Sequence, residues 1–383
     1  QRGGGGGGGG DGELVQDDVV VRVGDRTYTH LRSDCGVPRG RRDAFDAAWR
    51  EWLQVHEAVL AERAPPRFVH VGIPHKSSVY NRLKIAVSAV AMALISRRAV
   101  QLSWTQVLDT ESVYFPHRHV DDLFEAPPFN WTYDFDRFRA DRWDRFNATG
   151  FGAEQYVDME PLHQIMCADI LGGELSSRVW WELPWRYGWL GSLLYHSPFT
   201  HERTAALFAR DDMFGVLARR IYNPVPRIAR KINHFYDTHF ASAKRVFGVE
   251  LVAGAAMRHA TGGHVNKQMA AKAAARVDAV DQLRRTLRAI DTDCTREKVR
   301  GDDSDALVCD RSDVRVFVVL HDERHMSAVL RAFGERRELL YYPHANFTVP
   351  TDEGEVIDWF LMALAERVYT QPTYTTGHGA LSS

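Results

Sequence analysis

The spacing of apolar residues in the first part of the chain predicts a unit of strands and helices. Two short β-rich runs, Arg67–Ile73 and Ala99–Trp104, enclose the segment Asn81–Arg97, which is apolar on nearly all sides. A strand, a buried helix and a second strand in this order are typical of a parallel βαβ unit. Upstream, the pattern predicts a strand over Val19–Val23 and a helix over Ala44–Leu60, where large apolar side chains recur at helical spacing.

The last third of the chain repeats this alternation more regularly. We predict strands and helices there in the order Glu250–Arg258, Asn266–Ile290, Val314–Leu320, Glu323–Phe333, Leu339–Tyr342 and Glu353–Val368. Such alternation indicates a Rossmann-like unit, in which ligands bind beyond the carboxyl ends of the strands. The predicted fold class is therefore α/β, with two Rossmann-like domains facing a cleft. We divide the chain into a glycine-rich linker at 1–15, an N-terminal α/β domain at 16–240 and a C-terminal domain at 241–383.

Composition narrows the class of protein. The chain has 383 residues, of which 45% are hydrophobic and 26% charged, as in ordinary globular proteins. A net charge of −2 provides no basic field, so no nucleic-acid partner is predicted. The four cysteines form no CxxC pair, which argues against a zinc site. Cys294 and Cys309 flank a polar stretch and could close a loop as a disulfide.

Three asparagines lie in glycosylation sequons, namely Asn130, Asn147 and Asn346. They favour a protein of the secretory pathway, with accidental sequons in a cytosolic protein as the alternative. No apolar run reaches the ~18 residues of a membrane span. The chain opens with Gln-Arg and the unbroken glycine run Gly3–Gly10, so we expect it to be a piece of a longer protein.

Candidate chemistry concentrates in the last third of the chain. Arg258 ends a predicted strand just before two glycines, where an always-charged bidentate donor could neutralise a diphosphate. An ordinary salt-bridging arginine is the alternative. Asp322 follows the next predicted strand and could accept a hydrogen bond from a ribose or base, or cap the following helix. Thr373–Gly379 combines hydroxyl residues with glycines, which can hold phosphate.

Two features of the middle of the chain are open to more than one interpretation. His117 and His119 stand next to aspartates, but such neighbours are more often polar surface, so no metal site is predicted. Four tryptophans fall close together and could form core or stack on sugars in a glycan groove: Trp180, Trp181, Trp185 and Trp189.

In chain order, several segments resemble motifs of the plant xyloglucan fucosyltransferase family. They are Arg67–Trp104 with its Tyr80-Asn81-Arg82, Asp122–Trp131, Ile165–Asp169, Leu217–Pro224, His234–Thr238, Gly254–Arg258 and Tyr374–Gly379. The segment ending in Arg258 lies where the family has Gly-Ile-Gln-Ile-Arg, whose arginine contacts the donor diphosphate. The last segment lies where the family has the donor-binding Ser-Thr-Phe-Gly. The resemblance covers about Arg67–Leu381.

This resemblance implies a GT-B fold and a glycosyltransferase that takes L-fucose from GDP-fucose with inversion, with no metal or other cofactor. It places the donor beside Arg258, His259, Asp322, Thr375, Thr376 and Gly379. It places the glycan acceptor beside Asn81, Arg82 and Trp185. The acceptor would be a galactose of a cell-wall polysaccharide or of a glycoprotein glycan. The resemblance further implies a Golgi enzyme with its catalytic domain in the lumen, held to the membrane only by an anchor upstream of this chain.

Departures from the family pattern bear on activity. Ser78-Val79-Tyr80 replaces loop glycines that approach a ligand closely, and His378 intrudes in the last motif. Arg186 falls opposite an acidic residue thought to help deprotonate the acceptor, and an arginine cannot act as a base. Either the register slips there, or Glu182 takes that role, or the chemistry differs. Arg258 and Glu182 are therefore the catalytic candidates. The chain also stops soon after the last motif, so we expect the C-terminal domain to be incomplete.

Two other functions stay open at this point. A catalytically silent glycan-binding protein could have kept the fold while losing the base and the loop glycines. An enzyme that uses another nucleotide sugar would share the same alternation of strands and helices. Affinity for GDP separates the first of these from a fucosyltransferase.

Overall fold

A computed structural model describes residues 18–31, 39–74, 79–105, 120–131, 156–158, 167, 169–183, 189–209, 213–251, 279–299, 314–320, 323–333, 339–343 and 352–370. Within these residues, ten strands form one antiparallel hairpin and two four-stranded parallel sheets. Two parallel sheets combined with helices confirm the predicted α/β fold class. The domain boundaries stay a prediction.

The hairpin comprises β1 (Asp18–Val23) and β2 (Arg26–Leu31), paired antiparallel around a two-residue turn. Gly24 opens that turn with a φ of +61°, a conformation that suits glycine and the primed turns of tight hairpins. Its N–H donates to Asn223 Oδ1 at 2.9 Å, and Tyr28 Oη donates to Asn233 Oδ1 at 2.6 Å. The sequence pattern predicted β1 but missed its partner.

The N-terminal sheet has the strand order β4-β3-β6-β5 and is parallel throughout. Its strands are β3 (Phe68–Pro74), β4 (Ala99–Thr105), β5 (Tyr156–Asp158) and β6 (Trp180–Glu182). The helix α1 (Arg39–Leu60) covers one face, where its Val59 joins a buried cluster with Phe68, Ala99 and Trp180. The helix α2 (Val79–Ser96) packs on β3 and is buried along nearly its whole length. The predicted βαβ unit is confirmed.

Among the described residues, five short helices follow β5, the first of them before β6 and the other four between β6 and the second sheet. They are α3 (Glu174–Ser177), α4 (Gly191–His196), α5 (His201–Leu207), α6 (Met213–Ile221) and α7 (Pro226–Phe235), which continues as a π-helical turn over Tyr236–Phe240. Part of this region is held by Arg98, which is buried just after α2. Its guanidinium donates to the carbonyl oxygens of Ser176 and Arg178 and stacks over Trp181, 3.5 Å from the ring centre. Burial lowers the pKa of Arg98 to about 9.

The C-terminal sheet has the strand order β10-β7-β8-β9, again all parallel. Its strands are β7 (Arg245–Glu250), β8 (Val314–Val319), β9 (Leu339–Leu340) and β10 (Arg367–Thr370). The helices α8 (Ala279–Val299), α9 (Glu323–Phe333) and α10 (Asp352–Ala363) connect them. The predictions for β8 and α9 are confirmed to within a residue.

Two predicted elements of this region are wrong in their bounds. The strand expected to begin at Glu250 begins earlier, since β7 spans Arg245–Glu250, and the rest of the predicted strand, from Val252 to Arg258, lies outside the described residues. Gly248 interrupts the apolar run of β7, because a Cβ there would lie 2.8 Å from Met362 Sδ of α10. The helix expected to reach Val368 stops at Ala363. There the chain turns, and the Glu366 N–H donates to Val246 O at 2.8 Å, which begins the pairing of β10 with β7.

Smaller differences concern the ends of the neighbouring elements. The helix α8 continues past the predicted end at Ile290, and β9 is two residues long where four were expected. The predicted start of that helix at Asn266 lies outside the described residues. No helix in the described part of the chain is long and apolar enough to cross a membrane.

A buried ion pair joins the two sheets through their helices. Arg82, in the first turns of α2, donates from Nη2 to Asp352 Oδ2 at 2.6 Å, and only 4% and 5% of the two side chains are exposed. Asp352 is the first residue of α10. The next residue, Glu353, accepts hydrogen bonds from Arg227 and Lys231 of α7. The amino end of α10 is thereby fixed to a helix of the N-terminal sheet and to the segment that connects the sheets.

A second buried cation lies two residues further along α2. Lys84 is 1% exposed, and burial lowers its pKa to about 8, although the charge of Glu250 at the end of β7 acts in the opposite direction. Lys84 and Glu250 therefore interact across the same junction between the sheets. Both cations of this junction belong to α2.

We expect the Arg82–Asp352 pair to show strong coupling in unfolding experiments. Arg82→Met and Asp352→Leu should each lower the free energy of unfolding by about 3–5 kcal/mol, because each removes one partner of a buried ion pair and leaves the other charge buried. The double variant should lose much less than the sum. Guanidinium unfolding followed by tryptophan fluorescence measures this. The exposed pair Arg63–Glu57 is the matched control and should be nearly additive. Additive losses at Arg82 and Asp352 would contradict the assignment.

We expect Lys84 to make the stability of the fold depend on alkaline pH. Its pKa in the folded state, about 8, lies below the ordinary 10.5, so between these values the unfolded chain binds more protons. Stability therefore rises as the pH rises through this window. Relative to Lys84→Met, the wild type should gain on the order of 2 kcal/mol between pH 7 and pH 10. Lys244→Met, which removes an exposed lysine and keeps Lys84, serves as control: its stability should change with pH as that of the wild type does. A constant difference between wild type and Lys84→Met would refute this.

Candidate functional site

The carboxyl edge of the C-terminal sheet has a topological switch point between β7 and β10. From β7 the chain proceeds to β8 on one side, whereas β10 returns to the other side of β7. In open parallel sheets, ligands bind in the crevice that such a reversal creates. Thr370 and Glu250 are register partners at the ends of the two strands. The segments that follow them in sequence therefore leave the sheet at the same edge and from adjacent strands, about 4.8 Å apart.

The predicted donor-binding residues follow these strand ends in sequence. Arg258 and His259 come after β7, and Thr375, Thr376 and Gly379 come after β10. Asp322 comes after β8, which ends at Val319. All six lie outside the described residues, so their donor-binding roles stay predictions. What the structure describes is the anchoring of the segments at the switch point.

The N-terminal sheet has a switch point of its own between β3 and β6, and Glu182 is the last residue of β6. His70 of β3 is its register partner, and His70 Nδ1 lies 2.7 Å from Glu182 Oε2. Trp180 Nε1 donates to the same oxygen at 3.1 Å. The His70 side chain is 1% exposed and that of Glu182 is 19% exposed. Glu182 is thus a partly accessible carboxylate with two donors directed at one of its oxygens.

A row of polar residues crosses this sheet at the level of Glu182. Gln101 on β4 is in register with His70, which is in register with Glu182. Register partners on parallel strands lie on one face, where parallel sheets normally bury apolar residues. Gln101 is 1% exposed, and its Oε1 has no hydrogen-bond partner among the described residues. Two residues earlier in β4, β3 and β6, the register partners on the same face are apolar: Ala99, Phe68 and Trp180.

The predicted acceptor-side residues are only partly described. Asn81 lies half-buried in the first turn of α2, and Arg82 is buried and bonded to Asp352. Trp185 and Arg186 lie outside the described residues. The acceptor-side roles of Asn81, Arg82 and Trp185 stay predictions, and so does the interpretation of Arg186.

The interpretation of the tryptophan cluster as a sugar-stacking groove is wrong for two of its members. Trp180 is 3% exposed and Trp181 is fully buried, so neither ring can meet a glycan. Trp181 stacks under the Arg98 guanidinium, and Trp180 packs against Phe68. Trp189 packs partly buried, with its ring edge to face with Phe214. These three rings form core.

Other candidates are absent or lie elsewhere. His117 and His119 fall outside the described residues. Within the described part of the chain, no group of three His, Cys, Asp or Glu residues could hold a metal ion. Cys167 is a free, exposed thiol. The proposed Cys294–Cys309 disulfide is untested, because Cys309 and the side chain of Cys294 are not described.

Three polar residues of these sites were missed from the sequence. His70, Gln101 and Lys84 each interrupt an otherwise apolar run: a strand in the first two cases and the buried helix in the third. A polar residue inside a segment predicted to be fully buried is the signal that could have identified them, since buried polar groups need partners.

Comparison with solved structures places this fold among known ones. The chain is similar to an arginine-to-lysine mutant of Arabidopsis thaliana FUT1 in complex with GDP, with a TM-score of 0.51 and 14% identity over 85% of this chain and 74% of that one. It is also matched, with a TM-score of 0.43 and 15% identity over 81% of this chain and 90% of that one, to NodZ alpha-1,6-fucosyltransferase co-crystallized with GDP. NodZ comes from Bradyrhizobium.

Sequence comparison finds no matching protein-family model and no matching curated protein. At 14% identity, the likeness to FUT1 is one of fold. The chain therefore has the fold of Arabidopsis FUT1, with two parallel sheets and the predicted GT-B-like arrangement of α/β units.

Proposed function

We propose that this protein is a glycosyltransferase that moves L-fucose from GDP-fucose to a glycan with inversion at the anomeric carbon. The observation that carries the proposal is the adjacency of β7 and β10 at a switch point. Glu250 and Thr370, the last residues of these strands, are register partners, and the segments that contain Arg258 and Thr375–Gly379 follow them in sequence. The family resemblance assigns donor binding to the same two segments. The fold shared with FUT1, whose structure contains GDP, supports GDP as the nucleotide.

The proposed reaction needs a positively charged group at this edge of the sheet. As the sugar leaves the nucleotide, negative charge develops on the β-phosphate, and an arginine can neutralise it with two parallel hydrogen bonds. Arg258 is the proposed donor of these bonds. Hydroxyls and amides of Thr375, Thr376 and Gly379 would hold the remaining phosphate oxygens. Asp322 would accept from the ribose or the base.

The acceptor belongs to the N-terminal half in this proposal. A galactose of a cell-wall polysaccharide or of a glycoprotein glycan would lie near the start of α2, next to Asn81. We also propose that the protein acts in the Golgi lumen and is held to the membrane by an anchor upstream of this chain. The sequons Asn130, Asn147 and Asn346 agree with passage through the secretory pathway.

We expect calorimetry to detect GDP binding that depends on Arg258. Arg258→Ala should weaken GDP binding by about 10- to 100-fold, because charge-assisted hydrogen bonds to the diphosphate are lost. Arg258→Lys should fall between, since lysine keeps the charge and loses the bidentate geometry. Arg331→Ala, which removes an exposed arginine of α9, is the matched control and should bind as the wild type does. GMP and UDP should bind more weakly than GDP.

Absence of GDP binding by the folded wild-type chain would contradict the proposal and favour the silent glycan-binding protein. Equal binding of GDP and UDP would instead favour an enzyme that uses another nucleotide sugar.

A further inference from the structure

The polar row across the N-terminal sheet is unexplained by folding alone. Gln101, His70 and Glu182 occupy one level on three adjacent strands, and two of them are almost completely buried. A buried amide oxygen without a partner costs about 1–3 kcal/mol, whereas the apolar residues of the preceding row incur no such cost. Polar groups concentrated in this way at a sheet's switch point are typical of ligand sites.

We propose that this row is the site at which the acceptor hydroxyl loses its proton, with Glu182 as the catalytic base and His70 as its positioning residue. This inference rests on the proposed function and specifies its acceptor side. An ionised carboxylate only accepts hydrogen bonds, so the His70 Nδ1 must carry the hydrogen that is donated to Glu182 Oε2. Together with Trp180 Nε1, it holds the carboxylate in one orientation. The 19% exposure of the Glu182 side chain leaves a ligand access to it.

The reaction step balances with the groups named. The acceptor O–H bond breaks, and its proton passes to a carboxylate oxygen of Glu182. The acceptor oxygen bonds to the anomeric carbon of the fucose, while the bond from that carbon to the β-phosphate oxygen breaks. GDP leaves with the electron pair, and Arg258 neutralises its charge. Glu182 later gives its proton to solvent.

Gln101 lies in the polar row but apart from the proposed proton transfer. Its position one strand beyond His70 places it about 10 Å from Glu182 across the sheet. At 1% exposure it is out of reach of a bound glycan, so it takes no part in the proton transfer. Gln101→Leu should keep or raise the melting temperature, because a buried oxygen without a partner among the described residues is removed.

The test measures the release of GDP from GDP-fucose by the wild type and the variants. Lactose serves as the galactoside acceptor, and reactions without lactose measure the transfer to water. Glu182→Gln keeps an oxygen for His70 and Trp180 but is not basic. It should lower turnover about 10²- to 10⁴-fold and remove the acid limb of the pH profile, with unchanged affinity for GDP. His70→Leu should lower turnover by about tenfold or more, and His70→Asn, whose amide can still donate to Glu182, should restore most of it.

Glu174→Gln is the matched control, because Glu174 is an exposed carboxylate outside the row. Its turnover should equal that of the wild type. Wild-type turnover in Glu182→Gln, or equal losses in His70→Leu and His70→Asn, would overturn the inference while leaving the donor proposal intact. Failure of the wild type to bind GDP would contradict the donor proposal and this inference with it.

Discussion

The buried ion pair between Arg82 and Asp352 is the interaction on which the arrangement of the two sheets depends. It joins α2, which packs on the N-terminal sheet, to the first residue of α10, which packs on β7. A buried pair contributes little net stability compared with an apolar contact, but it tolerates only one geometry. We infer that its role is to set how α2 and α10 meet. Because α10 leads into β10, that contact also positions the switch point at which the nucleotide is proposed to bind.

The burial of charged groups between the two sheets costs free energy, which agrees with a functional role for this region. Lys84 is held almost completely buried with a lowered pKa, and Glu250 at the end of β7 offsets only part of the desolvation. Buried ionisable groups with shifted pKa values are concentrated at functional sites, although structural networks also produce them. Both Glu250 and Glu182 end a strand at a switch point, one in each sheet. These two carboxylates therefore lie at the two sheet edges where we propose that the donor and the acceptor bind.

The sequence was sufficient for elements whose periodicity is uninterrupted. The strand β8 and the helix α9 could be predicted to within a residue, because an apolar run and an amphipathic pattern each have clear ends. Prediction failed where packing overrides the pattern. Gly248 lies within β7 because α10 approaches closely there. The apolar pattern of α10 continues past the residue at which the helix ends, so the sequence did not show that Glu366 already pairs with Val246 of β7.

For the site, the sequence indicated Glu182 but not its partners. The pairing of His70 with Glu182 depends on the strand order β3-β6, which joins residues far apart in sequence and has no local signature. The tryptophans show the opposite error. Four large aromatic residues in a short segment suggested a groove, yet Trp181 fills the core beside Arg98 and Trp180 packs against Phe68. Composition alone does not distinguish tryptophans of the core from tryptophans that line a sugar-binding groove.

Hydrogen–deuterium exchange with and without GDP tests the central claim, that the nucleotide binds at the carboxyl ends of β7 and β10. We expect GDP to slow exchange in peptides covering the segments after Glu250 and after Thr370, and to leave peptides from α1 and the β1–β2 hairpin unchanged. Protection confined to the β3–β6 edge, or no protection at GDP concentrations that saturate binding, would contradict the account.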